Sequence, residues 1–133
     1  MIVIEKITKG VPLKVLVVDD DSAYRHLISA VLTANNFSVT LATDGANALE
    51  ILETFKPDLI VSDLMMPNVN GYELINSVKH NPETKHIPVI LLTEKASKED
   101  ISYGYEKQKV EYYIAKPFSN HQLLAGIKLV LGV

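Results

Sequence analysis

The chain has 133 residues, enough for one domain with a core of its own, and it contains no cysteine, which excludes disulfides and thiol chemistry. Its formal net charge is −3, from 13 basic and 16 acidic residues spread along the chain, a balance that argues against generic nucleic-acid or membrane binding. No apolar run approaches the ~20 residues of a membrane span. We therefore expect a soluble, cytoplasmic protein that selects its partners by shape or local chemistry.

Residues 1–12 precede the first clear strand, and Gly10 and Pro12 mark the boundary. The sequence leaves open whether this segment is an ordered extension, a linker remnant or a frayed end. We expect one domain over residues 13–133.

Strand and helix patterns then alternate along the whole domain. Apolar, β-branched segments predict five strands, at 14–18, 37–42, 58–62, 88–93 and 111–115. Apolar residues at helical spacing predict a helix after each strand: from Ser22 to Asn35, from Gly45 to Phe55, from Tyr72 to His80, from Lys98 to about Lys107, and from Ser119 to Leu131. Ser22 and Ser119 are the predicted N-caps of their helices. Strict alternation implies a parallel sheet with helices on both faces.

The stretch around Asp63 is the most informative part of the chain. The apolar run 59–61 ends in Ser62-Asp63, so the aspartate is predicted at the carboxyl end of a buried strand. Pro67 and the turn-forming residues 68–71 follow it. Asp63 is therefore expected to be accessible, at the start of an ordered loop.

Polar residues end four of the five predicted strands. They are Asp19 and Asp20, Asp63, Thr93 and Lys116. In an open parallel sheet such strand ends meet at one edge, where ligands bind. Three carboxylates so close repel one another by about 4 kcal/mol per pair at ~4 Å and an effective dielectric constant near 20, so they need a cation or a proton.

Oxygen ligands of this kind suit Mg²⁺, and Lys116 adds a second positive charge. The chemistry that fits is phosphoryl transfer onto Asp63, because a carboxylate can act as the nucleophile while a metal and a lysine neutralise the phosphoryl oxygens. Thr93 offers a hydroxyl donor to the same group.

Four motifs together resemble the receiver domain of two-component response regulators. They are residues 17–21, residues 62–67 with Gly71, residues 91–94, and residues 116–118, in the family's order. The resemblance extends over about residues 13–131. It implies an α/β, flavodoxin-like, doubly wound sheet of five parallel strands in the order 2-1-3-4-5, with five helices.

The resemblance also implies roles at the site. Asp63 would be the phosphoacceptor and, with Asp20 and the backbone carbonyl of Met65, a ligand of Mg²⁺, for which Mn²⁺ could substitute. Asp19 would bind the metal through water. Lys116 would assist the reaction.

Further expectations concern the switch and the partners. Thr93 would move toward the phosphate, Tyr113 would be the aromatic switch behind it, and the Lys116-Pro117 bond is a candidate for the cis form. The partners implied are a sensor histidine kinase or phosphotransfer protein, and either a downstream protein target or a covalently linked output domain. The surface of the fourth helix, fifth strand and fifth helix would change its partner preference, with a phosphorylation-dependent homodimer also allowed. The chain would assist its own phosphorylation and dephosphorylation without turning over a separate substrate.

Two positions depart from the family pattern. Glu94 follows Thr93 where a very small residue is usual, and residues 107–110 lack the small residue expected before the fifth strand. We assign no role to Tyr24, His26 or His121, which lie on predicted helix faces.

Three other functions are alternatives to a phosphorylated receiver. A Mg²⁺ phosphohydrolase with an aspartyl-phosphate intermediate commonly needs a second acid two residues after the nucleophile, where this chain has Met65. A nucleotide-binding protein needs a Gly-rich or P-loop first turn, where this chain has residues 19–21, all aspartate. A degenerate receiver, acting as an unphosphorylated interaction module, draws support from Glu94.

Overall fold

A computed structural model describes residues 3–94 and 109–133. Within them the helices and strands follow in the order α1 (Val3–Thr8), β1 (Lys14–Val18), α2 (Ser22–Ala34), β2 (Ser38–Ala42), α3 (Gly45–Leu52), β3 (Leu59–Asp63), α4 (Gly71–His80), β4 (Val89–Thr93), β5 (Tyr112–Ala115) and α5 (Asn120–Leu131). The helix predicted at 98–107 lies outside the described residues. Among the residues described, no helix is long and apolar enough to cross a bilayer.

All five strands form one parallel sheet in the order β2-β1-β3-β4-β5, which confirms the predicted architecture. Val17 pairs with Val61, Asp63 with Leu92, and Thr93 with Ala115. The carboxyl ends of β1, β3, β4 and β5 therefore lie side by side. The sheet order changes direction between β1 and β3, where an open α/β sheet forms its binding crevice.

The two faces of the sheet build two separate apolar layers, because side chains alternate along each strand. Leu16 and Ile60 face one layer, covered by α3 and α4. Val17 and Val61 face the other, covered by α2 and α5. Both faces of β1, β3 and β4 are thus buried, as their continuous apolar sequences predict.

Helix ends follow local hydrogen bonding, and one predicted cap is wrong. Asp21, not Ser22, is the N-cap of α2, because its extended backbone lets its carboxylate accept a hydrogen bond from the Ala23 N–H, while Ser22 is already helical. Ser119 is the N-cap of α5 and forms a capping box with Gln122, as predicted for Ser119.

Strand β3 runs one residue further than the sequence indicates. Asp63 belongs to the strand because it pairs with Leu92, and the Leu64 N–H still donates to the Leu92 carbonyl at 2.9 Å. The acidic side chain is consequently fixed by the sheet itself. Its backbone is held more rigidly by this pairing with β4 than it would be at the start of a loop.

Helix α1 is attached at the opposite end of β3. Lys6 Nζ lies 2.6 Å from Asp58 Oδ1, with both side chains largely buried, and Asp58 Oδ2 accepts the Lys14 N–H at 2.8 Å. Asp58 therefore joins the N-terminal segment to the beginnings of β1 and β3.

Candidate functional site

A pocket opens at the carboxyl edge of the sheet, where β1, β3, β4 and β5 end. Five of the side chains that line it are charged, and four of these are acidic. Its lining residues are Asp20, Asp21, Asp63, Met65, Glu94 and Lys116. The predicted phosphoacceptor Asp63, two further residues predicted to hold the metal, Asp20 and Met65, and the predicted lysine therefore meet in one cavity.

Three carboxylates form the centre of the site. Asp19, Asp20 and Asp63 each place an oxygen within 4.8 Å of the others. Asp19 is fully buried and Asp63 is 8% exposed, whereas Asp20 is exposed. The sequence predicted this cluster, because strands β1 and β3 are neighbours and end at the same edge.

Two hydrogen bonds hold the carboxylate of Asp19, and a third holds its backbone carbonyl. Its Oδ1 accepts the Asp21 N–H at 2.9 Å, its Oδ2 accepts from Lys116 Nζ at 2.8 Å, and its backbone carbonyl accepts from Arg25 Nη1 at 2.7 Å. A buried carboxylate needs such partners to remain charged. Asp19 therefore anchors both the first turn of α2 and the lysine.

Lys116 points into the pocket from the end of β5, and its side chain is only 4% exposed. Its ammonium lies 3.6 Å from Asp63 Oδ1 and 3.9 Å from the centroid of the Tyr24 ring. Burial lowers the pKa of this ammonium, but the hydrogen bond to Asp19 and the charges of Asp19 and Asp63 outweigh it, so that its pKa is raised. Lys116 is therefore a permanent cation at this edge.

The Asp63 carboxyl holds its proton more tightly than an ordinary aspartate does. Burial raises its pKa from the ordinary 3.8 to about 6. Lys116 and the Met65 N–H oppose this shift, whereas the charges of Asp19 and Asp20 add to it. Removing water from one carboxylate beside two others thus outweighs the attraction of a single lysine.

The loop after Asp63 is pulled back over the strand end by Gly71. The Gly71 N–H donates to the Leu64 carbonyl at 2.9 Å, and a Cβ on Gly71 would lie only 2.8 Å from the Asp63 carbonyl oxygen. Asn68 takes a positive φ of 66°, and Asn70 caps α4 in a capping box with Glu73. These residues make the ordered turn that their sequence predicts, and they direct the Met65 N–H toward Asp63 Oδ1 at 3.4 Å.

Neither Thr93 nor Tyr113 is among the residues that line this pocket. Thr93 is buried at the end of β4, and its carbonyl accepts the Lys116 N–H at 2.8 Å. Tyr113 is half-buried on β5, with its hydroxyl 2.7 Å from that of Tyr72 on α4. The Lys116-Pro117 bond is cis, as predicted.

Tyr24 and Arg25 are the residues of the site that sequence reasoning missed. Tyr24, to which no role was assigned, contacts the Lys116 ammonium, and Arg25 binds the Asp19 carbonyl. Their position in the sequence could have indicated this. Helix α2 begins at Ser22, shortly after Asp19 and Asp20, so its first turn lies at the same edge of the sheet as those carboxylates.

The donor set fits a hard divalent cation. Asp19, Asp20 and Asp63 provide only oxygen, the donor that Mg²⁺ and Ca²⁺ prefer over nitrogen or sulfur. Lys116 lies 3.6 Å from Asp63 and balances one of the three negative charges, which leaves two carboxylate charges for a cation to offset. The residues present are therefore suited to a bound Mg²⁺.

Comparison with known proteins agrees with this arrangement. The sequence model of the response regulator receiver domain matches residues 15–128. A probable cyclic di-GMP phosphodiesterase of Vibrio cholerae is 44% identical over 105 residues, which are 79% of this chain and 23% of that protein. This chain also spans only about half of two further curated relatives, 53% and 51%. In these curated relatives the similarity therefore covers only part of a longer protein.

Solved structures show the same fold. The chemotaxis protein CheY4 of Vibrio cholerae superposes with a TM-score of 0.85 at 31% identity, over 90% of this chain and 98% of that one. The receiver domain of the sensor histidine kinase PA1611 from Pseudomonas aeruginosa gives 0.83 at 26% identity, over 92% and 99%. That receiver holds a magnesium ion in its active-site cleft.

Proposed function

This chain belongs to the response regulator receiver family, and we propose that it is a phosphorylation-dependent signalling switch whose phosphoacceptor is Asp63. The observation that supports this most directly is the position of Asp63. Its carboxylate lines an open pocket, two further carboxylates lie within 4.8 Å, and the buried cation of Lys116 lies 3.6 Å away. Such a carboxylate is reachable by a phosphodonor and has counter-charges in place.

The proposed reaction is a displacement at phosphorus. A carboxylate oxygen of Asp63 forms a P–O bond as the P–N bond of a phosphohistidine breaks, and the departing imidazole nitrogen takes a proton from solvent water. With a pKa of about 6, Asp63 is largely ionised near neutral pH and so presents an anionic nucleophile. The Lys116 ammonium interacts with the phosphoryl oxygens now bound to Asp63 and offsets part of their negative charge.

Asp20, Asp63 and the Met65 backbone carbonyl would hold a Mg²⁺ ion, with Asp19 contributing through water; Mn²⁺ would serve in the same place. Such a cation neutralises phosphoryl oxygens and orients the group for in-line attack. The magnesium ion in the PA1611 receiver supports this assignment by similarity.

The proposed switch is a two-state equilibrium that the phosphoryl group biases. Thr93 would donate its hydroxyl to the phosphoryl group, and Tyr113 would follow it inward. Because the Tyr113 hydroxyl lies 2.7 Å from that of Tyr72, the movement would exchange this contact for another. The readout would appear on the surface of the helix predicted at 98–107, β5 and α5, by altered protein contacts or by formation of a homodimer.

The proposed partners follow from the donor chemistry. A sensor histidine kinase or a phosphotransfer protein would present the phosphohistidine in the cytoplasm, and a target protein or a linked output domain would read the result. We propose a receiver domain over residues 13–133 with residues 1–12 as an extension. It would promote its own phosphorylation and dephosphorylation, with no separate substrate.

Intact mass after incubation with phosphoramidate tests the proposal. One phosphoryl adduct should appear with Mg²⁺, fall sharply when a chelator is present, and be lost in Asp63→Asn. Asp21→Asn is the matched control, because Asp21 lines the same pocket but is the N-cap of α2 and not part of the carboxylate cluster. An adduct that persists in Asp63→Asn would contradict the assignment of the phosphoacceptor.

A degenerate receiver is the second candidate, and Glu94 is the observation that favours it. Glu94 adds a carboxylate to the pocket lining beside Thr93, and this charge repels anionic donors. If Glu94 closes the site, the wild-type chain will show no adduct while Glu94→Ala gains one. A chain that still shows a melting shift with millimolar Mg²⁺ but no adduct in either form would act as an unphosphorylated module.

A further inference from the structure

Tyr24 stands on the first turn of α2 and contacts both sides of the turn that carries Lys116. The Lys116 ammonium lies 3.9 Å from the centroid of the Tyr24 ring, within the range of a cation–π interaction. On the other side of the turn, the Phe118 ring packs against Tyr24 with its centroid 5.9 Å away, tilted by 47°. One aromatic side chain therefore touches the lysine and the residue two positions after it.

Asp19 also holds the ammonium. Asp19 Oδ2 accepts its hydrogen bond at 2.8 Å, and Asp19 is tied to the same turn as Tyr24 through the Asp21 N–H and Arg25. The lysine side chain is only 4% exposed, so the tyrosine ring and the carboxylate stand where water would otherwise solvate the charge.

From these contacts we infer that Tyr24 is a positioning residue for Lys116 in the phosphorylation of Asp63. An ammonium has three N–H donors on a flexible stem and no preferred plane. Asp19 takes one donor and the Tyr24 ring covers a second direction, which leaves the remaining direction toward Asp63, 3.6 Å away. The ring thus directs a mobile point charge at the place where phosphoryl oxygens arrive.

This inference depends on the proposed function, because it assigns Tyr24 to that reaction. It differs from a general packing role in one respect. The aromatic face is needed, not the hydroxyl and not simply the volume. Tyr24→Phe should therefore preserve the effect, and Tyr24→Leu should remove it.

The test compares the rate of labelling by phosphoramidate with Mg²⁺ in the wild type, Tyr24→Phe and Tyr24→Leu. Phe37→Leu is the control, because Phe37 is also a half-buried aromatic against the same apolar layer but lies at the other end of the sheet. Tyr24→Leu should slow labelling by about three- to tenfold, the loss expected for one cation–π contact. Tyr24→Phe should retain most of the rate, and Phe37→Leu should match the wild type.

A second measurement, by NMR, does not depend on phosphorylation. The Lys116 side-chain methylene protons should show an upfield ring-current shift by NMR in the wild type and Tyr24→Phe, and lose it in Tyr24→Leu. The Mg²⁺ affinity should stay within about twofold of the wild type in all three, because among the described residues Tyr24 makes no hydrogen bond to a proposed ligand.

The outcomes separate the two proposals. If the wild type is not labelled, the proposed function fails, whatever the NMR shift. If the wild type is labelled and Tyr24→Leu labels equally fast, or slows only as much as Phe37→Leu, the positioning role is overturned. An ordinary Lys116 methylene shift in the wild type would also overturn it.

Discussion

The Lys116 ammonium lies 3.6 Å from Asp63 Oδ1, beyond a normal hydrogen bond, while it donates to Asp19 at 2.8 Å. Its strongest bond therefore goes to the carboxylate that is fully buried. Asp63, which lines the pocket, keeps only a longer-range attraction. This arrangement leaves the proposed nucleophile accessible and explains why one lysine does not return its pKa to the ordinary value.

Lys116→Gln should reduce the rate of phosphorylation by about 10²-fold or more, the effect of losing one preorganised charge at a developing anion. It should also destabilise the metal-free protein, because Asp19 would remain buried without its cation. Labelling rates by intact mass and melting temperatures measure the two effects. Lys85→Gln, at an exposed lysine, should change neither, and a Lys116→Gln variant that labels at the wild-type rate would remove the lysine from the mechanism.

Asp63 should make the metal-free protein less stable as pH rises. Its pKa is about 6 in the folded chain and 3.8 ordinarily, so the folded state binds this proton more tightly. The stability that this proton contributes is complete below about pH 4 and is lost as the pH rises through about 6, and we expect the loss to be roughly 1–2 kcal/mol after screening by solvent.

Melting of the metal-free wild type and Asp63→Asn across this range measures the effect. Between pH 4 and 7 the melting temperature of Asp63→Asn should rise relative to that of the wild type. Above pH 7 the difference between the two melting temperatures should stay constant. Saturating Mg²⁺ should reduce the difference by stabilising the wild type. A difference that is independent of pH would contradict the raised pKa.

Gly71→Ala should destabilise the protein by about 1–3 kcal/mol, the cost of overpacking a site that cannot yield. The added Cβ would meet the Asp63 carbonyl oxygen at 2.8 Å and the Leu64 Cα at 2.9 Å, both backbone atoms. Urea unfolding measures this change. Ser77→Ala, at an exposed position of α4, should stay within about 0.5 kcal/mol of the wild type, since it removes no buried contact.

Lys109 takes a positive φ of 60°, at the stretch before β5 where the family usually has a small residue. Lys109→Gly should therefore stabilise the fold by about 0.5–1 kcal/mol, because glycine adopts this conformation without strain. Lys109→Ala serves as the control, since it removes the same charge but keeps a Cβ. Equal unfolding midpoints for the glycine and alanine variants would show that backbone strain is not the cause.

The sequence predicted the parallel layers and the carboxylate cluster from strong local signals, and its resemblance to the receiver family supplied the sheet order. Continuous apolar strands fix the layers, and polar residues at strand ends meet wherever parallel strands meet. It placed the cap of α2 one residue too late, because Asp21 and Ser22 are both good caps and only the backbone angle decides between them.

The contacts of Tyr24 and of Tyr72 with Tyr113 were beyond sequence reasoning for a different reason. Each joins elements far apart in the chain, and each depends on how a side chain is directed across a packed layer. Helical spacing identified Tyr24 as a residue on the face of α2. It gave no indication that the end of β5 would bring an ammonium to the ring.

The central claim is that Asp63 receives the phosphoryl group, and chemical location of the adduct tests it most directly. Borohydride reduces an acyl phosphate to the alcohol, so treatment of the labelled protein followed by peptide mapping should convert Asp63, and no other aspartate, to homoserine. The conversion should require both the phosphodonor and Mg²⁺. Homoserine at Asp20 or Asp21, reduced Glu94, or labelled protein with Asp63 unchanged would contradict the account.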